Sequence, residues 1–452
     1  MDYKLNILSG VFLCSSILSS CCGSIDTPAD TKYLPEFNDK YFSQEEDILR
    51  ENQLKLYIDN STCNALGQYS DFYQRAVTPS LVSAAKKYFS IKGKDIVEED
   101  VDNTYTLLRS IKEVNYADLK TAAERIANDN TEGVLVTDGE YYEPSIAAGN
   151  ITNPYMTNAL KTWLIKGHEV YIISEPYTES YKGQNYDKKR FYFLFTDTRI
   201  PNNIWNRISQ TGELQNYPNV DVFHLSISRP FIQVTKSNDS FIPNEILSAS
   251  VKRNEMYEIQ DWSVDWKVIE NIIVSAVNQN TGEPLPNGDT LFSGIRLDRN
   301  SFGALKIENI GVNIYNINTD YNDFYCNKFS KTPIATTLSS VEECPRFMCI
   351  DDKEFKSHSN IDVYFDLNGY DPKSVLTGSP FNYLKIDFNI KEVKNIFKQY
   401  SKMFEFSSID CQPGQTNVSI EKSVEQCLAD PAVMQHVCKT PFYTIYVKCN
   451  QY

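Results

Sequence analysis

Apolar residues follow two different textures along this chain. Between about 50 and 235, short apolar runs alternate with stretches of helical period. Residues 54–58 form one run, closed by Asp59, and Val134-Leu135-Val136 forms another, closed by Thr137-Asp138-Gly139. Residues 170–173 and 191–195 are two more, the second ended by Thr196-Asp197. Between these runs, residues 72–89 read mostly as helix. Leu119, Ala122, Ala123 and Ile126 fall at i, i+3, i+4 and i+7, the spacing of one buried helix face. Asn153-Pro154 reads as a helix cap and first residue. Tyr155, Met156, Ala159, Leu160, Trp163 and Leu164 line one face, and Gly167 stops the helix. Residues 203–208 read as a short helix and 220–225 as a last strand. This alternation predicts an α/β domain over 51–235, Rossmann-like, with a mostly parallel sheet and helices on both faces. Ligands of such sheets gather at the carboxyl ends of the strands, so Asp59, Asp138 and Asp197 are expected on one rim.

From 240 to 452 the helical period becomes scarce. Ile361, Val363 and Phe365 alternate with Asp362, Tyr364 and Asp366. Leu384, Ile386, Phe388 and Ile390 alternate with Lys385, Asp387 and Asn389. Residues 442–447 read as a terminal strand, and Asn280-Thr281-Gly282 and Asn368-Gly369 read as turns. These patterns predict one or two antiparallel β-sandwich-like units, with residues 393–400 and 424–437 as helical insertions.

The first residues have an export texture. Lys4 precedes a mostly apolar stretch, 7–18, which is too short to span a bilayer. Leu18-Ser19-Ser20-Cys21 resembles the lipobox of bacterial lipoproteins. The resemblance implies that 1–20 is removed and that Cys21 carries the lipid. Polar residues 21–50 then serve as a tether. No later run of about 18 apolar residues occurs, so the mature chain is expected on a membrane of the cell envelope through its lipid, at the outer membrane or cell surface.

Composition narrows the partners. A net charge of −15 lacks the basic footprint that nucleic acid or anionic lipid requires. The 41% hydrophobic content is sufficient for packed cores. The abundant Tyr and Phe are expected to fill those cores. Seven cysteines lie late in the chain, without a paired C-x-x-C, so disulfides or buried thiols are expected in place of zinc. Spacing does not fix the pairings; Cys427 with Cys438, and Cys344 with Cys349, are the local candidates.

Asp59-Asn60-Ser61-Thr62-Cys63 and Thr137-Asp138-Gly139 follow strands in the order of a known family. Residues 51–235 resemble a von Willebrand factor type A domain, which carries D-x-S-x-S after its first strand, a Thr in a middle loop, and often T-D-G after a later strand. In that family these groups hold Mg²⁺ in a metal-ion-dependent adhesion site. The resemblance implies that Asp59, Ser61 and Asp138 hold Mg²⁺ and that a partner's carboxylate completes the coordination. It departs from the pattern at Cys63, a thiol where the family has Ser, and at Asn115-Tyr116-Ala117-Asp118-Leu119, which lacks the Thr and leaves Asp118 to offer an oxygen.

Other chemistry is thin. His168 and His224 read as structural. Glu140 and Glu143 add acid near Asp138. Asp366, Asn368 and Asp371 read as a hairpin turn rather than a Ca²⁺ loop. There is no G-x-S-x-G elbow, P-loop or H-E-x-x-H. The expectation is therefore a binding or adhesion module for a protein or glycan partner, with enzymatic activity left open. The alternatives are a structural envelope component with an inactive metal site and an exported metal-dependent hydrolase.

Overall fold

The computed structural model describes residues 31–42, 48–61, 64, 70–100, 102, 116–141, 150–234, 261–263, 268–273, 290–329, 343–344, 348–365, 381–408, 411–412 and 414–450. Cys21 and the export segment lie outside them. After helix α1 (Leu34–Tyr41), seven strands form the first sheet: β1 (Arg50–Asp59), β2 (Lys87–Lys92), β3 (Asp95–Glu99), β4 (Thr131–Thr137), β5 (Glu169–Tyr181), β6 (Gln184–Thr196) and β7 (Asp221–Leu225), in the order β3-β2-β1-β4-β6-β5-β7.

The flanking helices arise where the period predicted them. A π-helical turn (Phe72–Val77) runs into α2 (Thr78–Ala84). The residues after α2 become strand β2, so the helical reading of 72–89 ends too late. Helix α3 (Leu119–Ala127) buries the four residues picked out by spacing, and Asp118 caps it. Helix α4 (Thr157–Ile165) begins later than Asn153-Pro154, with Met156 at its N-cap and no side-chain cap bond. Gly167 then turns the chain at φ 82°. Helix α5 (Ile204–Gln210) is capped by Asn203, whose side chain accepts from the Asn206 amide.

The sheet is α/β and helix-flanked, as expected, but its direction pattern differs. Strand β1 is parallel to both β2 and β4. The pairs β2–β3, β4–β6, β5–β6 and β5–β7 are antiparallel. Strands β5 and β6 form one long hairpin, which inserts β6 between β4 and β5. Parallel character is thus confined to the three strands around β1.

The remaining strands are β8 (Ile232–Val234), β9 (Asp261–Ser263), β10 (Val268–Ile273), β11 (Thr290–Leu297), β12 (Leu305–Asn316), β13 (Glu343–Cys344), β14 (Met348–Ile350), β15 (Asn360–Phe365), β16 (Phe381–Asn395) and β17 (Tyr443–Asn450). They form a six-stranded sheet, β13-β12-β16-β17-β10-β9, and a four-stranded one, β14-β15-β11-β8. The larger sheet is not purely antiparallel, because β10 runs parallel to β17. In β16 the alternation holds, yet both faces are buried: Leu384, Ile386, Phe388 and Ile390 join the main core, while Lys385 and Asp387 pair with each other. Lys385 lies 4.5 Å from the Phe42 ring centroid, beneath the aromatic cluster around α1.

Helices α6 (Asn318–Phe329) and α7 (Asp352–His358) precede the last pair, α8 (Ser419–Ala429) and α9 (Pro431–Lys439). The expected helix over 424–437 is split here because Asp430 caps α9 and Pro431 starts it. The helix expected at 393–400 is instead the end of β16 followed by a 3₁₀ segment (Phe397–Phe404). One hydrophobic cluster runs from α3 and α4 through β16, α8 and α9, so the two halves share a core. The other sheet face packs under α2 and α5. Cys427 and Cys438 are free thiols, which overturns the pairing expected between them. Among the described residues no helix is long and apolar enough to cross a membrane.

Candidate functional site

The site is built at the point where the sheet changes hand. From β1 the chain reaches β2 through α2, which packs against Leu54, Leu56 and Ile58. It reaches β4 through α3, which packs on the opposite face with Tyr57 and Leu135. Such a reversal opens a crevice outside the carboxyl ends of the two central strands. Asp59 ends β1 and Thr137 ends β4, and the parallel register sets Ile58 beside Val136.

The sequence-predicted Asp59 and Asp138 therefore meet. The Thr137 hydroxyl donates to Asp59 Oδ2 at 2.6 Å, and the Ser61 amide donates to Asp59 Oδ1 at 2.8 Å. The second bond is the local turn that Asp and Ser favour. Asn64 holds the same turn, with Nδ2 2.7 Å from the Asp59 carbonyl and its amide 3.4 Å from Ser61 Oγ. Asp138 Oδ1 accepts from the Glu140 amide at 3.0 Å, while Oδ2 is buried with no hydrogen-bond partner. Gly139 sits at φ 77°, and a Cβ there would lie 2.7 Å from Ile420 of α8. Glycine is required at this bend by both conformation and space.

Both acids are buried: Asp59 is 2% exposed and Asp138 fully enclosed. Burial, and then the neighbouring Asp138 charge, push the Asp59 carboxyl up to about 7. Burial likewise raises Asp138, against the pull of Lys188 and Arg190. Those two cations come from β6, on the arm of the β5–β6 hairpin. Lys188 pairs with Glu140 and lies 3.4 Å from Glu179. Arg190 lies 3.3 Å from Glu175, donates to Asn64 Oδ1 at 3.0 Å, and stacks over Tyr73 at 4.0 Å. Among the described residues around the crevice, the carboxyls of Asp59, Asp138, Glu140, Glu175 and Glu179 outnumber Lys188 and Arg190. Burial of acids in such surplus favours bound protons or a cation there.

The donor set suits a hard divalent cation, which prefers oxygen ligands. Asp59, Ser61, Thr137 and Asp138 offer carboxylate and hydroxyl oxygens, and Asp138 Oδ2 is uncommitted. Among the described residues no three His, Cys, Asp or Glu side chains are grouped to hold a metal, so hydroxyls and water would complete the shell. Asp118 spends both carboxylate oxygens on Thr121, as an N-cap. Cys63, Glu143, and the Asp366, Asn368 and Asp371 turn lie outside the described residues.

Asp197 does not share this rim. Strand β6 runs antiparallel to β4, so its carboxyl end lies at the opposite edge of the sheet. There Asp197 accepts from Arg199 and lies 3.0 Å from His168 Nδ1. Burial raises its pKa, but the bonds to His168 and Arg199 outweigh that and hold it well below the usual range. His168 is fully buried in this cluster, and His224 stacks on Tyr171 while contacting Glu169 at 2.9 Å.

Sequence reasoning missed Lys188, Arg190, Glu175 and Glu179. The chain carries Glu175 and Glu179 four residues apart on one arm and an unbroken charged run, 187–190, on the other, and the register sets Glu175 directly opposite Arg190. Comparisons with protein-family models, curated proteins and solved structures find no match to this chain.

Proposed function

We propose that this chain is a lipid-anchored binding module of a bacterial cell envelope, with a von Willebrand A-like domain over 51–235 and β-sandwich-like units over 240–452. Cys21 carries the lipid and residues 21–50 form the tether. Asp59, Ser61 and Asp138 hold Mg²⁺, joined by the Thr137 hydroxyl. The metal, when bound, offers an open position to a carboxylate of a protein or glycan partner. The observation that carries this reading is the closure of Thr137 on Asp59 at 2.6 Å beside the uncommitted Asp138 Oδ2.

A melting experiment with and without millimolar Mg²⁺ or Mn²⁺ tests the metal. Binding to the folded state raises the melting temperature, and Asp138→Asn abolishes the rise. A flat response in the parent chain removes the metal from the proposal. Mass spectrometry of the native protein tests the anchor: an unmodified Cys21, or an intact 1–20 segment, overturns it. Pull-down from the native envelope with parent and Asp59→Ala chains then tests partner capture.

A second reading has one observation in its favour. Lys188 and Arg190 already supply positive charge to Asp138, and Asp59 titrates near neutrality. On that basis the pair keeps a proton in place of a metal, and the module is a structural envelope component.

A further inference from the structure

We propose that Ser228 and His436 form an acyl-transfer dyad acting on esters of small apolar acids. They lie on the wall of a cavity of about 210 Å³ between the end of α4, the exit of β7 and the end of α9. This is the rim opposite Asp59, because β7 is antiparallel to β5 with Leu225 beside Val170. The inference is therefore independent of the proposed metal site.

Three features converge. First, Ser228 Oγ lies 2.9 Å from His436 Nε2, within the reach of a nucleophile and its base. Among the described residues Ser228 is the sole hydrogen-bonding partner of that imidazole. Burial lowers the His436 pKa, so the ring is neutral at pH 7 and has a lone pair for the Ser228 proton. Second, the chain turns sharply after the serine, with Arg229 at φ 52°, and this places Ser228 on the cavity wall. Third, Arg229 lines the same cavity. Its Nη2 donates to the Gly167 carbonyl and lies 3.6 Å from Asp197 and 3.9 Å from Glu169. Its guanidinium supplies positive charge for a developing oxyanion.

The cavity sets the substrate class. Ile165, Ile227, Phe302, Ile390, Val437 and Phe442 make most of its wall apolar. At about 210 Å³ the cavity has room for a short acyl chain or one ring. Ser228 Oγ bonds to the acyl carbon while its proton passes to His436 Nε2. The ester C–O bond breaks and His436 returns that proton to the departing alcohol. Water then attacks the acyl carbon as His436 takes its proton, the bond to Ser228 Oγ breaks, and His436 returns that proton to Oγ as the acid leaves. No carboxylate orients His436 among the described residues, so turnover is slow and covalent capture is the sharper readout.

A fluorophosphonate probe applied to the full chain tests the dyad. Peptide mapping of the labelled parent should place the adduct on Ser228. His436→Gln, melting as the parent does, should be labelled about 100-fold more slowly, the scale of a general base. Mapping the parent locates the adduct directly, so the test does not depend on Ser228→Ala folding. A folded parent with no adduct on Ser228, or a rate indifferent to His436→Gln, overturns the proposal. Nitrophenyl butyrate should be cleaved faster than nitrophenyl palmitate, and equal rates overturn the size assignment.

Discussion

The hydroxyl of Thr137 donates to the carboxylate of Asp59 at 2.6 Å, joining two strand ends that are 78 residues apart in the chain. This bond lies in a buried crevice where, among the described residues, acids outnumber bases. It fixes the geometry of the Asp59–Asp138 pair, and its removal has a measurable consequence.

Thr137→Val keeps the shape of the side chain and deletes the donor. Asp59 Oδ2 then loses its hydroxyl partner in a buried setting, which costs about 1–3 kcal/mol. Thr137→Ser retains the hydroxyl and loses less. Urea denaturation of the three chains checks the order, and equal midpoints for Val and parent would refute the role given to this bond.

The pair also predicts a pH dependence. The Asp59 carboxyl titrates near 7 in the fold and near 3.8 when unfolded, so between those values the folded chain binds the extra proton. Its contribution is fully present below about 3.8 and is lost as pH rises through about 7. Without metal, the parent should lose melting temperature between about pH 4 and 7 more steeply than Asp59→Asn. Parallel slopes for the two chains would contradict the burial argument.

Asp197 predicts the reverse limb. Its folded pKa is depressed, so it stabilises above its unfolded value and the benefit fades as pH falls. Asp197→Asn should be less stable than the parent at pH 7, and the gap should narrow below about pH 4. A gap that is constant down to pH 3 would show that shape, not charge, explains the loss.

Gly139 and Gly212 separate conformation from space. Both have positive φ, but a Cβ at Gly212 meets nothing within 4 Å, while at Gly139 it meets Ile420 at 2.7 Å and Phe191 at 3.1 Å. Gly212→Ala should cost about 1–2 kcal/mol from backbone strain alone. Gly139→Ala should cost more, because α8 must shift as well. Guanidinium unfolding of both variants measures the difference.

Arg190 is fully buried between Glu175, Asn64 and Tyr73. Arg190→Met leaves Glu175 without its cation and should cost about 3–5 kcal/mol, as for a broken buried ion pair. A loss below about 1 kcal/mol by denaturant titration would mean that Ser70 and Tyr192, which also donate to Glu175, already satisfy it.

Much of the first half was legible in the chain itself. The period of Leu119, Ala122, Ala123 and Ile126 identified α3, and the turn chemistry of Asp59-Asn60-Ser61 identified the end of β1. The apolar runs at 134–136 and 191–195 marked β4 and β6. The hairpin arms carrying Glu175, Glu179, Lys188 and Arg190 were not legible, because charged residues end an apolar pattern even when they pair across strands.

Local preference determined where strands and helices begin, which residues bend the chain, and which faces turn inward. It acts over a few residues and needs no partner. Strand direction was decided only by tertiary structure, since an apolar run reads the same in a parallel or an antiparallel neighbour. That single degree of freedom sends Asp197 to one rim with His168 and leaves Asp59 and Asp138 together on the other, where burial and mutual repulsion set their chemistry.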